Sequence, residues 1–408
     1  MLLIFLSCAR RERLNPIDPR NPQTKGRPAI NRIYSVKDTV FISWEPIELE
    51  DLNSYKIYRK TSTEDAFNLF ATVSSSITTF VDTSVTFGVD YQYRITAAGT
   101  TFESLPSEPV IITPGPSFNW VADTFNRNIV KLTHDSRYEI LRARDFFNPI
   151  DLEFSPLNKI VWIVDLVRAS RGEVVRMNTR GKTLGRLPFS TPFDLAVFNS
   201  TGEVWVADSE IDAVVKMDST GTPEFSITSF SNPIALSIDQ QNGDCWVADN
   251  QADAIVQIKN DGSSIFTVPF NFNAIQAVTV NSKEGSVWVA DSTRIVKLDM
   301  KGKKIFELNG FNFVFKLVVN ENTGEVWLLD LVLRFNKSKV VKLAPSGQKV
   351  FELSGFTVPE DLALNLYDNS CLVADTQNDR IVRISPDGNI TAIFDRVFNP
   401  QAVAVQNN

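Results

Sequence analysis

Apolar and polar residues alternate along much of the chain with a period of two. Val40-Phe41-Ile42-Ser43-Trp44, Tyr55-Lys56-Ile57-Tyr58-Arg59 and Tyr91-Gln92-Tyr93-Arg94-Ile95-Thr96-Ala97 all follow it. Successive side chains of a strand point to opposite faces, so the rhythm predicts half-buried β-strands. Turn formers separate the runs, as in Asp51-Leu52-Asn53-Ser54 and Gly88-Val89-Asp90. About seven such short strands between residues 29 and 114 predict a β-sandwich.

A longer period overlies the short one from residue 118 onward. Val-Trp-Val-Ala-Asp recurs in variant form, closing on Asp123, Asp165, Asp208, Asp249, Asp291, Asp330 and Asp375, at intervals of 42, 43, 41, 42, 39 and 45 residues. Trp120, Trp162, Trp205, Trp246, Trp288 and Trp327 stand three positions before the Asp, with Leu372 in the seventh copy. A Leu or Val thirteen positions before the Asp opens the second to seventh copies: Leu152, Leu195, Leu236, Val278, Leu317 and Leu362. Pro149, Pro192, Pro233 and Pro359 precede four of these by three positions. Each copy holds four strand-like runs, for example Asp194–Val197, Glu203–Ala207, Ala213–Met217 and Glu224–Ile227. Four strands at this period predict a propeller blade, and the alternation excludes a helical repeat. Trp120 and Asp123 have no Pro-x-x-Leu before them, and the strand Pro400–Val405 has no Trp and Asp after it. Tail and head complete one unit. The expectation is an all-β chain: a sandwich, then a seven-bladed propeller over 118–408, closed by strands from 400–405 and 119–140 sharing one blade.

The residues carry two family resemblances. Val121-Ala122-Asp123-Thr124-Phe125-Asn126-Arg127-Asn128-Ile129-Val130 and Val373-Ala374-Asp375-Thr376-Gln377-Asn378-Asp379-Arg380-Ile381-Val382 resemble NHL repeats. Many NHL propellers have fewer blades than the seven counted here. The copies at Asp291-Ser292-Thr293-Arg294-Ile295 and Leu329-Asp330-Leu331-Val332 depart from the pattern in the turn. Upstream, Trp44, Ser54–Arg59, Phe80-Val81-Asp82 leading to Tyr91–Ala97, and Ser104-Leu105-Pro106-Ser107-Glu108-Pro109 together resemble a fibronectin type III domain. That resemblance implies a core Trp44, a corner hydrogen bond from Tyr91 and a spacer or adhesion role over 29–114.

Met1–Ser7 is apolar and precedes Cys8, Arg10, Arg11 and Arg13. It is too short to cross a hydrocarbon core, which takes about 20 helical residues. It resembles the end of a bacterial lipoprotein signal, with the small Ser7 before a lipidated Cys, although Phe5 and Leu6 depart from the usual residues. The expectation is a signal or lipobox remnant over 1–8, lipidation at Cys8, and a lipid-anchored, extracytoplasmic place in a bacterial cell envelope. Residues 9–28, rich in Asn, Pro, Asp and Gly, read as a tether. Continued to Arg32, the stretch holds seven Lys and Arg against Glu12 and Asp18, a balance suited to anionic headgroups.

Composition narrows the chemistry. The 408 residues carry 41 Lys+Arg and 48 Asp+Glu, a net charge of −7 that argues against nucleic-acid binding. His134 is the chain's single histidine, which removes most imidazole acid–base and zinc chemistry. The repeated Asp reads as structural, accepting amides of its own turn. The Trp set reads as packing between blades. Lys131, Arg176, Lys216, Lys297, Lys342 and Arg383 recur on the third strand, with Gln257 as the exception, and read as solvated or paired. Cys245 and Cys371 replace Val in blades too distant to bridge, and are expected to be free, inert thiols.

Function is sought where the repeat breaks. Before the Leu mark the copies read Asp151, Asp194, Ala235, Ala277, Lys316, Asp361 and Ala402. The start of an innermost strand lines a propeller's channel. Asp151, Asp194 and Asp361 are therefore expected to form an acidic crescent with Lys316 nearby, binding a cation or cationic group. No cofactor is expected beyond a divalent cation. Three functions compete. The favoured one is a non-catalytic, membrane-anchored binding or scaffold protein that recognises a protein, peptide or glycan. The second is a metal-dependent, lactonase-like hydrolase at the channel mouth. The third is a structural envelope protein without a discrete ligand.

Overall fold

The computed structural model describes residues 15–21, 23–168, 171–332 and 337–407. Within them the alternating runs are strands, and the one helical element is a 3-10 turn at Thr376–Asn378. No helix among the described residues is long and apolar enough to cross a membrane. Cys8 and the rest of residues 1–14 lie outside the described residues. The chain divides into two compact units, Met1–Pro116 and Ser117–Asn408.

The first unit holds two antiparallel sheets. Ile30–Val36, Thr39–Trp44 and Thr79–Asp82 form one; Asn68–Ser74, Leu52–Thr61, Tyr91–Gly99 and Val110–Ile112 form the other, in that order. Alternate residues of both sheets face inward, and Trp44, Tyr55, Ile57, Tyr93 and Ile95 fill the core. The Tyr91 hydroxyl accepts the Thr86 amide at 3.0 Å. Tyr93 donates to buried Asp82 at 2.6 Å, and Arg59 pairs with the same carboxylate at 2.7 Å. Residues 15–21 and 23–28 run in turns closed by Asn21, whose side-chain oxygen accepts the Gln23 and Thr24 amides. The Leu105 amide then donates to the Gly26 carbonyl.

The second unit is propeller-like, with seven four-stranded antiparallel sheets among the described residues. The first combines Pro400–Gln406 with Phe118–Asp123, Asn128–Leu132 and Glu139–Ala143. The other six each use four consecutive strands and open at Pro149–Ser155, Pro192–Val197, Pro233–Ile238, Ile275–Asn281, Val314–Val319 and Asp361–Asn365. Each opening strand lies against the opening strand of the next sheet, and Pro400–Gln406 touches both Asp361–Asn365 and Pro149–Ser155. The Trp residues wedge between sheets. Trp120 packs on Leu152, Val161, Ile163 and Met177 of the following sheet, and Trp246 on Val287, Val289 and Leu298. At such sites truncation to Ala costs about 3–5 kcal/mol. Between the third and fourth strands the chain turns through left-handed positions. At Gly221, with φ +87°, a Cβ would also stand 2.7 Å from the Leu187 methyl.

One sequence expectation about the repeated residues needs correction, and another is narrowed. The repeat Asp is structural, but it mainly serves the loop that enters its own sheet. Asp249 accepts the Ser231 and Asn232 amides at 2.8 Å, and Asp208 those of Ser190 and Thr191. Asp165, Asp330, Asp375 and Asp123 do the same for Phe147 and Asn148, Asn312 and Phe313, Thr357, and Phe398. Loop amides that point inward need acceptors, and the carboxylate at the end of the adjacent strand is the nearest one. Its own turn contributes less, through Asn126, Asn378 and the Ala252 amide. Of the two readings open for the third-strand lysines, solvated or paired, the pairs are what the structure shows. Lys216, Lys297 and Lys342 are buried, pair with Glu203, Glu284 and Glu325, and lie over the rings of Trp205, Trp288 and Trp327. Lys131 has the same aromatic seat on Phe118 and Trp120 and donates to the Thr179 carbonyl. Burial pushes it down to about 8.

Candidate functional site

The strand that opens each sheet exposes alternate residues to a central channel of about 300 Å³. Asp151, Asp194, Asp361 and Lys316 all line it, so the structure brings the four sequence-derived candidates together. Lys316 reaches from the sixth sheet across the bore. Its ammonium stands 3.5 Å from Asp361 Oδ1 on the neighbouring sheet and 3.6 Å from Asp194 Oδ1 on the third sheet. The lysine is therefore the centre of the cluster rather than a neighbour of it.

The second oxygen of each Asp is also used. Leu195 N donates to Asp151 Oδ2 at 3.0 Å, Leu236 N to Asp194 Oδ2 at 2.6 Å, and Val403 N to Asp361 Oδ2 at 2.9 Å. In every case the amide belongs to the opening strand of the next sheet. These carboxylates thus couple neighbouring sheets, and charge-assisted bonds of this kind are among the stronger hydrogen bonds in proteins.

Glu153 completes the cluster and was missed in the sequence. It stands two residues beyond Asp151 on the same strand face, where the other copies have Ala196, Ser237, Thr279, Val318, Ala363 and Ala404. It is the one charged residue at that repeat position, which is the signal that could have found it. Its side chain is exposed to the bore while protein walls surround it, as they surround Lys316, which is 31% exposed. Desolvation by those walls, reinforced by the charges of Asp361 and Asp194, pushes Glu153 up to about 7. Desolvation also raises Asp151, with the Asp194 charge adding to it. It raises Asp194 and Asp361 too, outweighing the opposing pull of Lys316. Burial alone would lower Lys316, but Asp361, Asp194, Asp151 and Glu153 overcome it and hold the ammonium firmly protonated.

Among the described residues no group of three His, Cys, Asp or Glu side chains is placed to hold a metal ion. A Ser-His-Asp set does exist outside the channel. Ser117 Oγ lies 2.5 Å from His134 Nδ1, and His134 Nε2 lies 3.1 Å from Asp368 Oδ2. Asn365 donates to the same Ser117 oxygen at 2.8 Å. Ser117 and His134 are 1% and 2% exposed, so no acyl donor reaches the hydroxyl. The set ties the first sheet to the seventh. Cys245 and Cys371 are free and buried, and burial raises both thiols well above their ordinary range.

No protein-family model matches the chain. Among curated proteins, an amylopullulanase of Thermoanaerobacterium saccharolyticum is 32% identical over 111 residues, covering 26% of this chain and 8% of the amylopullulanase. A second, from Thermoanaerobacterium thermosulfurigenes, is 34% identical over 88 residues. The chain thus spans less than a tenth of the length of these relatives. Among solved structures, a functionally unknown protein from Desulfotomaculum acetoxidans has a TM-score of 0.60 at 12% identity, covering 71% of this chain and 99% of that one. A candidate 6-phosphogluconolactonase from Bacteroides uniformis has a TM-score of 0.58 at 12% identity, with the same coverage. This chain has an all-β, propeller-like fold.

Proposed function

We propose that this chain is a non-catalytic binding or scaffold protein, held outside the cytoplasm of a bacterial envelope by a lipid on Cys8. In this reading residues 29–114 are a fibronectin type III-like spacer. Residues 118–408 are an NHL-type propeller of seven blades, closed where Pro400–Gln406 pairs with Phe118–Asp123, and they recognise a protein, peptide or glycan. The observation that carries the reading is the state of the channel charges. Asp194 and Asp361 spend one oxygen on Lys316 and the other on the next sheet's backbone. Groups so engaged hold sheets in register rather than wait for a substrate. Asp151 and Glu153 are in no ion pair among the described residues, so they are where the mouth would attract a cationic group.

The purified chain tests this. It should leave 6-phosphogluconolactone and simpler lactones at their spontaneous hydrolysis rate with magnesium, manganese, calcium or zinc present. Metal-dependent turnover that Asp151→Asn abolishes would overturn the reading. A Cys8→Ser variant that still partitions with the membrane and still takes up labelled palmitate would remove the anchor. The second reading, a lactonase, draws on the fold shared with the Bacteroides uniformis protein. It would require Asp194 and Asp361 to release Lys316 and converge with Asp151 on a divalent cation.

A further inference from the structure

The sheet end where the inner strands begin carries a second departure from the repeat. Pro149 pairs with Asp165, Pro192 with Asp208 and Pro400 with Asp123, so the loop before each Pro and the turn after each Asp share one end of their sheet. Two residues after the Asp, the first two sheets have Phe125 and Val167; the others have Glu210, Gln251, Thr293, Val332 and Gln377. Two residues before the opening strand, the same two sheets have Phe398 and Phe147; the others have Ser190, Ser231, Asn273 and Asn312, and in the seventh Thr357 stands two residues before Pro359, the matching repeat position. The apolar side chains are exposed: Phe125 is 68%, Phe147 47% and Phe398 46% accessible. Phe125 and Phe398 touch, with ring centroids 4.6 Å apart. Rings left in water on adjacent units of a repeat, where the other units are mostly polar, mark an interaction surface.

Between Phe125 and Phe147 lies a cleft of about 570 Å³ whose lining includes Leu166, Val167, Arg127 and Arg168 and no acidic residue. Arg168 stands directly opposite Arg171 across its hairpin, and both are exposed. Like charges directly opposite on paired strands repel each other, and an anion bound between them would relieve that repulsion. Among the described residues none of Arg127, Arg168 and Arg171 is in an ion pair, on a chain whose net charge is −7. Thr191 Oγ1, also in the cleft wall, is enclosed without a hydrogen-bond partner. Aromatic rings beside arginines are the usual composition of binding hot spots.

We propose that this cleft docks an acidic, aromatic-containing segment of a partner protein, its carboxylates on Arg127, Arg168 and Arg171 and its rings against Phe125 and Phe147. This rests on the binding-protein reading and names the surface and partner class for it. The test uses the full chain and three probes: a labelled peptide alternating Glu with Phe, its Lys-for-Glu counterpart, and maltoheptaose as competitor. Fluorescence anisotropy should show saturable binding of the Glu peptide only, weakened about tenfold or more by Arg168→Ser with Arg171→Ser, and similarly by Phe125→Ser with Phe147→Ser. All four positions are exposed, and an unchanged thermal melt certifies each variant; wild-type binding that falls steeply with added salt supports the proposal without any variant. Equal binding of the Lys peptide, displacement by maltoheptaose, or no binding of the Glu peptide would overturn the cleft assignment. The broader binding-protein reading falls separately, by lactone turnover.

Discussion

Replacing Lys316 with Met removes the one cation that, among the described residues, lines a bore holding Asp151, Glu153, Asp194 and Asp361. Deleting one partner of a buried ion pair costs about 3–5 kcal/mol, because the remaining charges stay desolvated and repel each other. Lys316 is 31% exposed, so solvent screens part of the effect and about 3 kcal/mol is expected near neutral pH. The pH dependence gives the sharper test. All four carboxyl groups are raised in the folded protein, Glu153 to about 7. Between their unfolded and folded values the folded state binds more protons, so their contribution to stability falls as pH rises. Loss of Lys316 raises them further and steepens that fall. Lys316 itself has a raised value, so its contribution is fully present throughout the neutral and acidic range. The defect of Lys316→Met should therefore shrink on going from about pH 8 to about pH 5 as the carboxylates take up protons. Urea titrations followed by tryptophan fluorescence at both pH values measure it. A defect equal at both, or larger in acid, would refute the argument that Lys316 neutralises this cluster.

Deleting residues 400–408 removes the partner of Phe118–Asp123, the Gln406 acceptor of the Trp120 indole and the Val403 amide on Asp361. Circular dichroism melts should show a much lower, less cooperative transition. Asp249→Ala leaves the inward amides of Ser231 and Asn232 without an acceptor, and should cost about 3 kcal/mol in urea denaturation, with Asp249→Asn recovering part. Cys245 and Cys371 should not react with Ellman's reagent until denaturant is added, since both are buried and burial raises their thiols. A fast thiol signal from native Cys8→Ser protein would contradict that.

What the sequence made legible was what recurs. The Trp position, the Asp position and the unmatched strands at either end of the repeat carry information many times over, and they locate the four-stranded sheets. The channel residues were legible because they break that recurrence. Glu153 was less legible because its departure from the repeat lies not at the residue before the Leu mark but two residues later, where the strand returns to the same face. The Asp partners escaped because they lie 17 or 18 residues upstream, a distance fixed by sheet geometry and not by turn propensity. The lysines were legible only as solvated or paired, because charge alone does not reveal that a carboxylate and an indole together make a tolerable interior for an ammonium. The Ser117, His134 and Asp368 set depends on two sheets far apart in the chain, and no local pattern announces it.

The indole of Trp120 meets its acceptor, Gln406, 286 residues later. During synthesis the strand Phe118–Asp123 emerges early and must wait for nearly the whole unit before its flank is covered. Loop-closure entropy makes so distant a pairing a late event. In the interval the nascent chain presents a bare ladder edge carrying Phe118, Trp120, Val121 and Ala122, the kind of surface that templates misassembly and attracts holding chaperones. Folding of the propeller-like unit is therefore expected to be gated by the strand Pro400–Gln406, and translation products that stop short of it should aggregate in proportion to how long they lack it.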